Sequence, residues 1–149
     1  GFAYDIVDAV VSAQGHNPAK AAQAVKELSE WVARDDWETI LPAYSRCVRI
    51  TRDYVSRFTY QGLSNTEPSE KDLLEALEVA EQKLRDTLYV TPDTFLNAFE
   101  PMIPTIDQFF EDVLVMVDDE KVRDNRLALL QRVAALADGV ADMSKLEGF

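Results

Sequence analysis

An all-α fold, a helical bundle of about six to seven helices, is what this sequence of 149 residues predicts, and three observations predict it. Apolar residues recur at helical spacing almost throughout, and no stretch shows sustained strand alternation with β-branched enrichment. The pairs Asn17-Pro18 and Thr91-Pro92 place a capping side chain directly before a proline, the pattern of a helix start. Composition agrees with a packed chain: 47% hydrophobic and 28% charged residues, with only 5 Gly and 6 Pro, describe a globular protein rather than a disordered or fibrous one. A chain of this length buries roughly two thirds of its unfolded surface and needs no metal or disulfide to fold. A single domain over residues 1–149 is therefore expected.

The first helix is expected from Tyr4 to Ala13, stopping at Gly15. Asn17 and Pro18 open a second, with Ala21, Val25, Leu28 and Val32 on one face, ending near Arg34. A third is expected from about Trp37 to Phe58, with Pro42 marking either a kink or a true start. Gln61 to Pro68 gathers Gly62, Ser64, Asn65 and Pro68 and reads as a loop within the domain. Ser69 followed by Asp72 resembles a capping box, ahead of a seam formed by Leu73, Leu77, Ala80, Leu84 and Leu88. A short helix should run from Pro92 to about Phe99, and Pro101 and Pro104 enclose a turn. Ile106, Phe109, Phe110 and Val113 mark the next apolar face, and the final helix is expected from about Asp119 to Val140.

Charge and rare residues narrow the function. Against 27 acidic residues stand 15 basic ones, a net charge of −12, which repels phosphate backbones and anionic lipid on average. The lone Cys47 has no disulfide partner and the lone His16 cannot anchor a His-based metal site, so a cytoplasmic protein without its own metal is expected. The opening residues Gly1 to Asp5 lack a basic signal-peptide start and an initiator Met, so the chain reads as a fragment of something longer, with no membrane span. No phosphate loop, nucleophile elbow or metal-ligand pair is present, so no catalytic residue is assigned. The acidic runs Asp35-Asp36 and Asp118-Asp119-Glu120 read as helix starts, and Cys47 reads as a small buried hydrophobe.

Two helices carry unusual arginines. Projected at 100° per residue, the third places Ala43, Cys47, Val48, Ile50, Tyr54, Val55 and Phe58 on one face and Arg46, Arg49, Arg52 and Arg57 on the other. Four arginines with Asp53 make this segment +3 and leave −15 for the remainder. Arginine at all four positions suits planar partners such as phosphate, base edges or carboxylate; the plainer alternative is a solvated face paired with acidic neighbours. In the last helix Arg123 and Arg126 fall on or beside the apolar arc of Leu127, Leu130, Val133, Ala134 and Ala137. They are expected either to pair with internal carboxylates such as Asp107 or Asp112 or to reach past the core rim.

The run from Phe109 through Asp118-Asp119-Glu120, then Arg123, Asn125-Arg126-Leu127, Leu129-Leu130 and Ala141-Asp142-Met143-Ser144-Lys145-Leu146, closely resembles the end of the β subunits of bacterial glycyl-tRNA synthetases. Tyr4 to Val10 and the helix around Arg46 and Ile50 look like upstream parts of the same region. The resemblance implies an all-helical anticodon-binding domain similar to that of arginyl-tRNA synthetase, set at the end of a longer chain. Its implied partners are the anticodon arm of glycine tRNA and a catalytic α subunit or fused α region, which uses ATP and magnesium; neither DNA nor membrane is implied. Arg46, Ile50, Arg123, Asn125 and Arg126 match the family pattern, whereas Arg49 departs from it, relatives often having a small polar residue there. Glycine anticodons contain two cytosines, whose exocyclic amine is a donor that Asp or Glu accepts from. Of the nearby rings, Tyr44 and Phe58 project toward the apolar arc, and Tyr60 is the candidate for stacking. The competing expectation is a helical protein-interaction domain that docks to other synthetase domains through the same arginines.

Overall fold

The computed structural model describes residues 3–54, 57–62 and 66–149. Its helices are α1 (Tyr4–Gln14), α2 (Pro18–Val32), α3 (Trp37–Thr51), α4 (Pro68–Arg85), α5 (Pro92–Phe99), α6 (Ile103–Asp112) and α7 (Glu120–Ala135). Short 3₁₀ turns lie at Glu100–Met102 and Met143–Lys145, and no strand occurs among the described residues. The expected all-α bundle is the fold.

Local side-chain caps set the starts of α2, α5 and α7. Asn17 Oδ1 accepts from the Lys20 backbone N–H at 3.2 Å, with Pro18 at the first helical position. Thr91 and Thr94 form a reciprocal capping box on α5, and Asp119 caps α7 by accepting from the N–H groups of Lys121 and Val122. Two expected caps are different. Asp36 precedes α3 without capping it, because its carboxylate is held by Arg34 in two bonds of 2.9 and 2.7 Å. Ser69 lies inside α4, which starts at Pro68, and its hydroxyl donates to Asp112 Oδ2 at 2.5 Å, tying α4 to the end of α6.

Helix α3 begins at Trp37 and contains Pro42, so the proline neither starts it nor ends it. It stops at Thr51, well before the expected Phe58. The Thr51 hydroxyl turns back to the carbonyls of Cys47 and Val48, and residues 57–62 run without helix along α7. Two buried amides of α7 hold that strap: Gln131 Oε1 accepts from the Phe58 N–H at 2.9 Å and Asn125 Oδ1 from the Gln61 N–H at 2.5 Å. Side chains alternate along it, with Phe58 and Tyr60 half-buried and Arg57, Thr59 and Gln61 exposed. Val55, expected on the apolar face of α3, and Ser64 and Asn65 of the expected loop lie outside the described residues, as do Gly1 and Phe2.

The core gathers around α3 and α7, which share the most extensive helix contact. Tyr44 sits edge-on to Phe95 and Phe99, with centroids 5.5 and 5.6 Å away, and its hydroxyl donates to the Ala134 carbonyl at 2.8 Å. Leu73, Leu77 and Ala80 of the predicted α4 seam are buried, but the helix ends at Arg85 and Leu88 is 86% exposed. Beyond Ala135 the last helix tightens into i→i−3 bonds from Leu136, Ala137, Asp138 and Val140 instead of continuing as α-helix to Val140. Gly139, at φ +75°, then reverses the chain in a conformation that disfavours side chains. The following segment returns to α1, where Asp142 N–H donates to the Ala9 carbonyl and Glu147 N–H to Asp5.

Candidate nucleic-acid interface

The four arginines of the expected stripe divide between two elements. Arg46 and Arg49 stand on the exposed side of α3, Arg52 is the residue that closes it, and Arg57 lies on the strap rather than on the helix. All four are exposed. None of them makes an ion pair among the described residues; the pairs found there use Arg34, Arg123, Arg126 and Arg132 instead. Of the plainer expectation, a solvated face paired with acidic neighbours, the solvent exposure is present, and no carboxylate makes an ion pair with these four side chains among the described residues.

Two of the arginines are held by rings. The Arg46 guanidinium carbon lies 4.1 Å from the centroid of Phe110, and that of Arg49 lies 5.6 Å from the centroid of Phe149. Stacking engages the face of a guanidinium and leaves its N–H edge free to meet an oxyanion, so each ring orients a donor without neutralising it. Neither ring was marked as an arginine partner by the sequence. Phe110 belongs to α6 and Phe149 follows α7 by 14 residues, and only packing brings them to α3.

The other candidates have structural work. Arg126 is 7% exposed; its Nε donates to Glu70 Oε1 at 2.7 Å and its Nη1 to the Leu114 carbonyl at 2.6 Å. The internal ion pair expected for it exists, but with Glu70 rather than Asp107 or Asp112. Arg123 pairs with its neighbour Asp124 at 3.4 Å, both side chains 29% exposed. Asn125 is 4% exposed, and while its Oδ1 holds the strap, its Nδ2 has no partner of hydrogen-bond geometry among the described residues. Tyr60 is half-buried, and its phenol is pushed above the ordinary tyrosine range by burial and by the charge of Glu70. Tyr44 and Phe58 belong to the packed interior or its edge, and Phe58 meets Tyr54 with ring centroids 6.0 Å apart.

Cys47 is fully buried, and burial pushes its thiol up to about 12, consistent with a packing role. Among the described residues no group of three or more His, Cys, Asp or Glu side chains is placed to hold a metal ion. No helix among them is long and apolar enough to cross a membrane. What the surface does offer is a set of unneutralised arginine donors above α3 and the strap, on a molecule that is acidic elsewhere.

The sequence has known relatives. The glycine–tRNA ligase β subunit of Geobacter sp. (strain M21) is 35% identical over 149 residues, covering 97% of this chain and 21% of that protein. That of Moorella thermoacetica is 31% identical over 150 residues, covering 98% of this chain and 21% of that protein. The chloroplastic/mitochondrial glycine–tRNA ligase 2 of Arabidopsis thaliana is 30% identical over 151 residues, covering 100% of this chain and 14% of the plant protein. The chain thus spans about a fifth of the length of the β subunits it matches. The model of the DALR anticodon binding domain matches residues 40–141, a stretch that runs from within α3 through α7 and includes Arg46, Arg49, Arg52, Arg57, Arg123 and Arg126, and the chain belongs to that family.

Proposed function

We propose that this chain is the anticodon-binding module of a glycine–tRNA ligase, residues 1–149 acting as one domain that grips the anticodon arm of glycine tRNA. Aminoacylation then takes place at a catalytic site in an α subunit or fused α region of the parent enzyme, in the cytoplasm. The observation that carries this reading is that Arg46, Arg49, Arg52 and Arg57 are exposed and make no ion pair among the described residues of a protein with 27 acidic residues. An acidic chain that leaves arginines without carboxylates keeps their donors for an outside anion, and an RNA backbone supplies such anions at regular spacing.

In this reading Arg46 and Arg49, stacked on Phe110 and Phe149, meet phosphates, while Arg52 and Arg57 extend the same track from α3 onto the strap. Asn125 and Arg126 act from beneath by holding the strap and the α6–α7 connection. Tyr60 offers the exposed part of its ring at the strap. ATP and magnesium are requirements of the parent enzyme; the described residues of this chain do not fit a metal site, and no step here uses one.

The test is binding of glycine tRNA to the intact parent enzyme by fluorescence anisotropy, with and without Arg46→Ala and Arg49→Ala together. Loss of two phosphate contacts should weaken binding by roughly tenfold or more at moderate salt. Wild-type affinity and aminoacylation in the double variant would remove the arginines from the interface. A module that binds only the other synthetase domains, and no tRNA, would favour the protein-docking alternative.

A further inference from the structure

A groove of about 430 Å³ lies between α2 and the connection from α4 to α5. Gln14, Lys20 and Ala24 form one wall, at the end of α1 and in the first half of α2, and Tyr89, Val90 and Pro92 form the other. None of Arg46, Arg49, Arg52 and Arg57 lines it. At its edge Leu88, Tyr89 and Val90 make an unbroken apolar run, and all three are exposed. Both ends of the run are fixed: the Thr87 hydroxyl donates to the Leu84 carbonyl at 2.7 Å, and Thr91 caps α5. Tyr89 is held as well, with the Lys20 ammonium 3.9 Å from its ring centroid. The fold thus presents contiguous apolar side chains outward from anchored backbone, which is the mark of a contact surface rather than of a loop that meets only water.

Glu27 lines the same groove at 8% exposure. One of its oxygens accepts from the Asp93 N–H at 3.0 Å and the other from the Gln23 amide at 3.2 Å, and it makes no ion pair among the described residues. A buried carboxylate ordinarily has a cation beside it, and Lys20 is seated on Tyr89 instead. Two oxygens have lone pairs for more than two donors, so the groove keeps an acceptor for a basic group from outside.

The two walls differ in origin. The match to the DALR domain leaves out α1 and α2, whereas the β subunits of Geobacter sp. (strain M21) and Moorella thermoacetica align with 97% and 98% of this chain. One wall therefore comes from the domain and the other from helices that accompany it in these ligases. A surface built across that boundary suits a contact particular to the ligase rather than the anticodon contact of the domain family. This chain is only 21% of the length of those β subunits, so most of each such chain lies outside it.

We propose that the groove and the run at residues 88–90 dock another part of the parent β chain, one that sets an apolar side chain against Tyr89 and Val90 and a lysine or arginine against Glu27. A partner on the same polypeptide needs no large area, because the link keeps its effective concentration high. Against a chain of net charge −12, a basic contacting face is the complementary one. The inference rests on the parent enzyme proposed above and not on its tRNA contacts, since the arginine face stays free.

The experiment uses the intact parent enzyme without tRNA, with p-benzoylphenylalanine replacing Leu88, whose exposure lets the fold accept the larger ring. After irradiation the cross-linked peptides are identified by mass spectrometry, and the mass of the undigested product separates links within one chain from links between chains. The expected product joins residues 86–91 to a stretch of the same β chain outside these 149 residues, carrying Lys or Arg among apolar residues. Val90→Asp, at a second exposed position, should lower its yield about tenfold by setting another carboxylate where apolar contact is needed. A cross-link confined to this module, or one to an acidic stretch, to the catalytic α region, to a second copy of the chain or, once added, to glycine tRNA would overturn the docking. So would a yield unchanged by Val90→Asp. The product should persist in Arg46→Ala with Arg49→Ala. If those changes weaken tRNA binding while the wild type gives no such product, the docking fails and the tRNA-binding function stands; the expected product together with undiminished tRNA binding has the reverse meaning.

Discussion

Arg126 illustrates how far a single residue type can be read from sequence. A guanidinium on an apolar helical arc had to find an internal partner, and that requirement was legible from spacing alone. The identity of the partner was not, since Glu70 lies 56 residues away and reaches Arg126 only because α4 packs beside α7. Arg126→Ala would leave Glu70, 2% exposed, as an uncompensated buried carboxylate and release the Leu114 carbonyl. The expected loss is about 3–5 kcal/mol of folding stability, read from urea unfolding. A loss below 1 kcal/mol would show that water or rearrangement replaces the pair. Asn125 follows the same logic in a neutral form: its position on α7 was legible, its hold on the strap backbone was not.

At the scale of elements, caps and breaks were more visible than lengths. Asn17, Thr91 and Asp119 satisfy helix N–H groups only a few residues away, so their role is written locally. Ser69 carries the same chemistry but is taken by Asp112, a partner 43 residues distant that no local pattern announces. The Asp112 carboxyl is consequently held below the ordinary carboxylate range, first by the Ser69 hydroxyl and then by the Gln108 amide. A depressed folded-state pKa contributes stability that is complete above the unfolded value and disappears as pH falls through the folded one. Ser69→Ala should therefore bring the Asp112 titration, followed by carboxyl-carbon NMR, back toward its ordinary range. Its destabilisation should be full at neutral pH and shrink under acid conditions; an unmoved titration would disprove the α4–α6 tie. The end of α3 follows the same rule, because helical periodicity continued to Phe58 while the buried amides of α7 drew residues 57–62 into a strap.

For the molecule as a whole, the question is how a chain of net charge −12 can bind an anion. The field at long range is repulsive, so association with RNA should be slow in the absence of salt screening relative to a basic domain, and binding must come from close contacts. In the proposed function they come from four arginines that make no ion pair among the described residues, two of which, Arg46 and Arg49, are oriented by rings rather than by carboxylates. In the parent enzyme, the slope of log affinity against log salt should flatten by about 0.7 for each of Arg46, Arg49, Arg52 and Arg57 changed to Ala. An unchanged slope for any one of them would place that side chain outside the phosphate track.

Helical class, the order of the elements, the local caps and the buried nature of Cys47 were determined by the sequence itself, because each depends on spacing within a few turns of chain. The arginine stripe was visible in part for the same reason, and the chain's likeness to glycyl-tRNA synthetase β subunits was carried by motifs, most of all in the run from Phe109 to Leu146, rather than by distant contacts. Tertiary structure decided what those arginines face. It separated Arg57 from α3, set Phe110 and Phe149 beneath Arg46 and Arg49, engaged Arg126 with Glu70, and gathered Lys20, Glu27 and Tyr89 around one groove. The physical reason is that a guanidinium or a carboxylate acts on whatever lies within a few ångströms, and for these residues that neighbour comes from elsewhere in the chain and is supplied by helix packing.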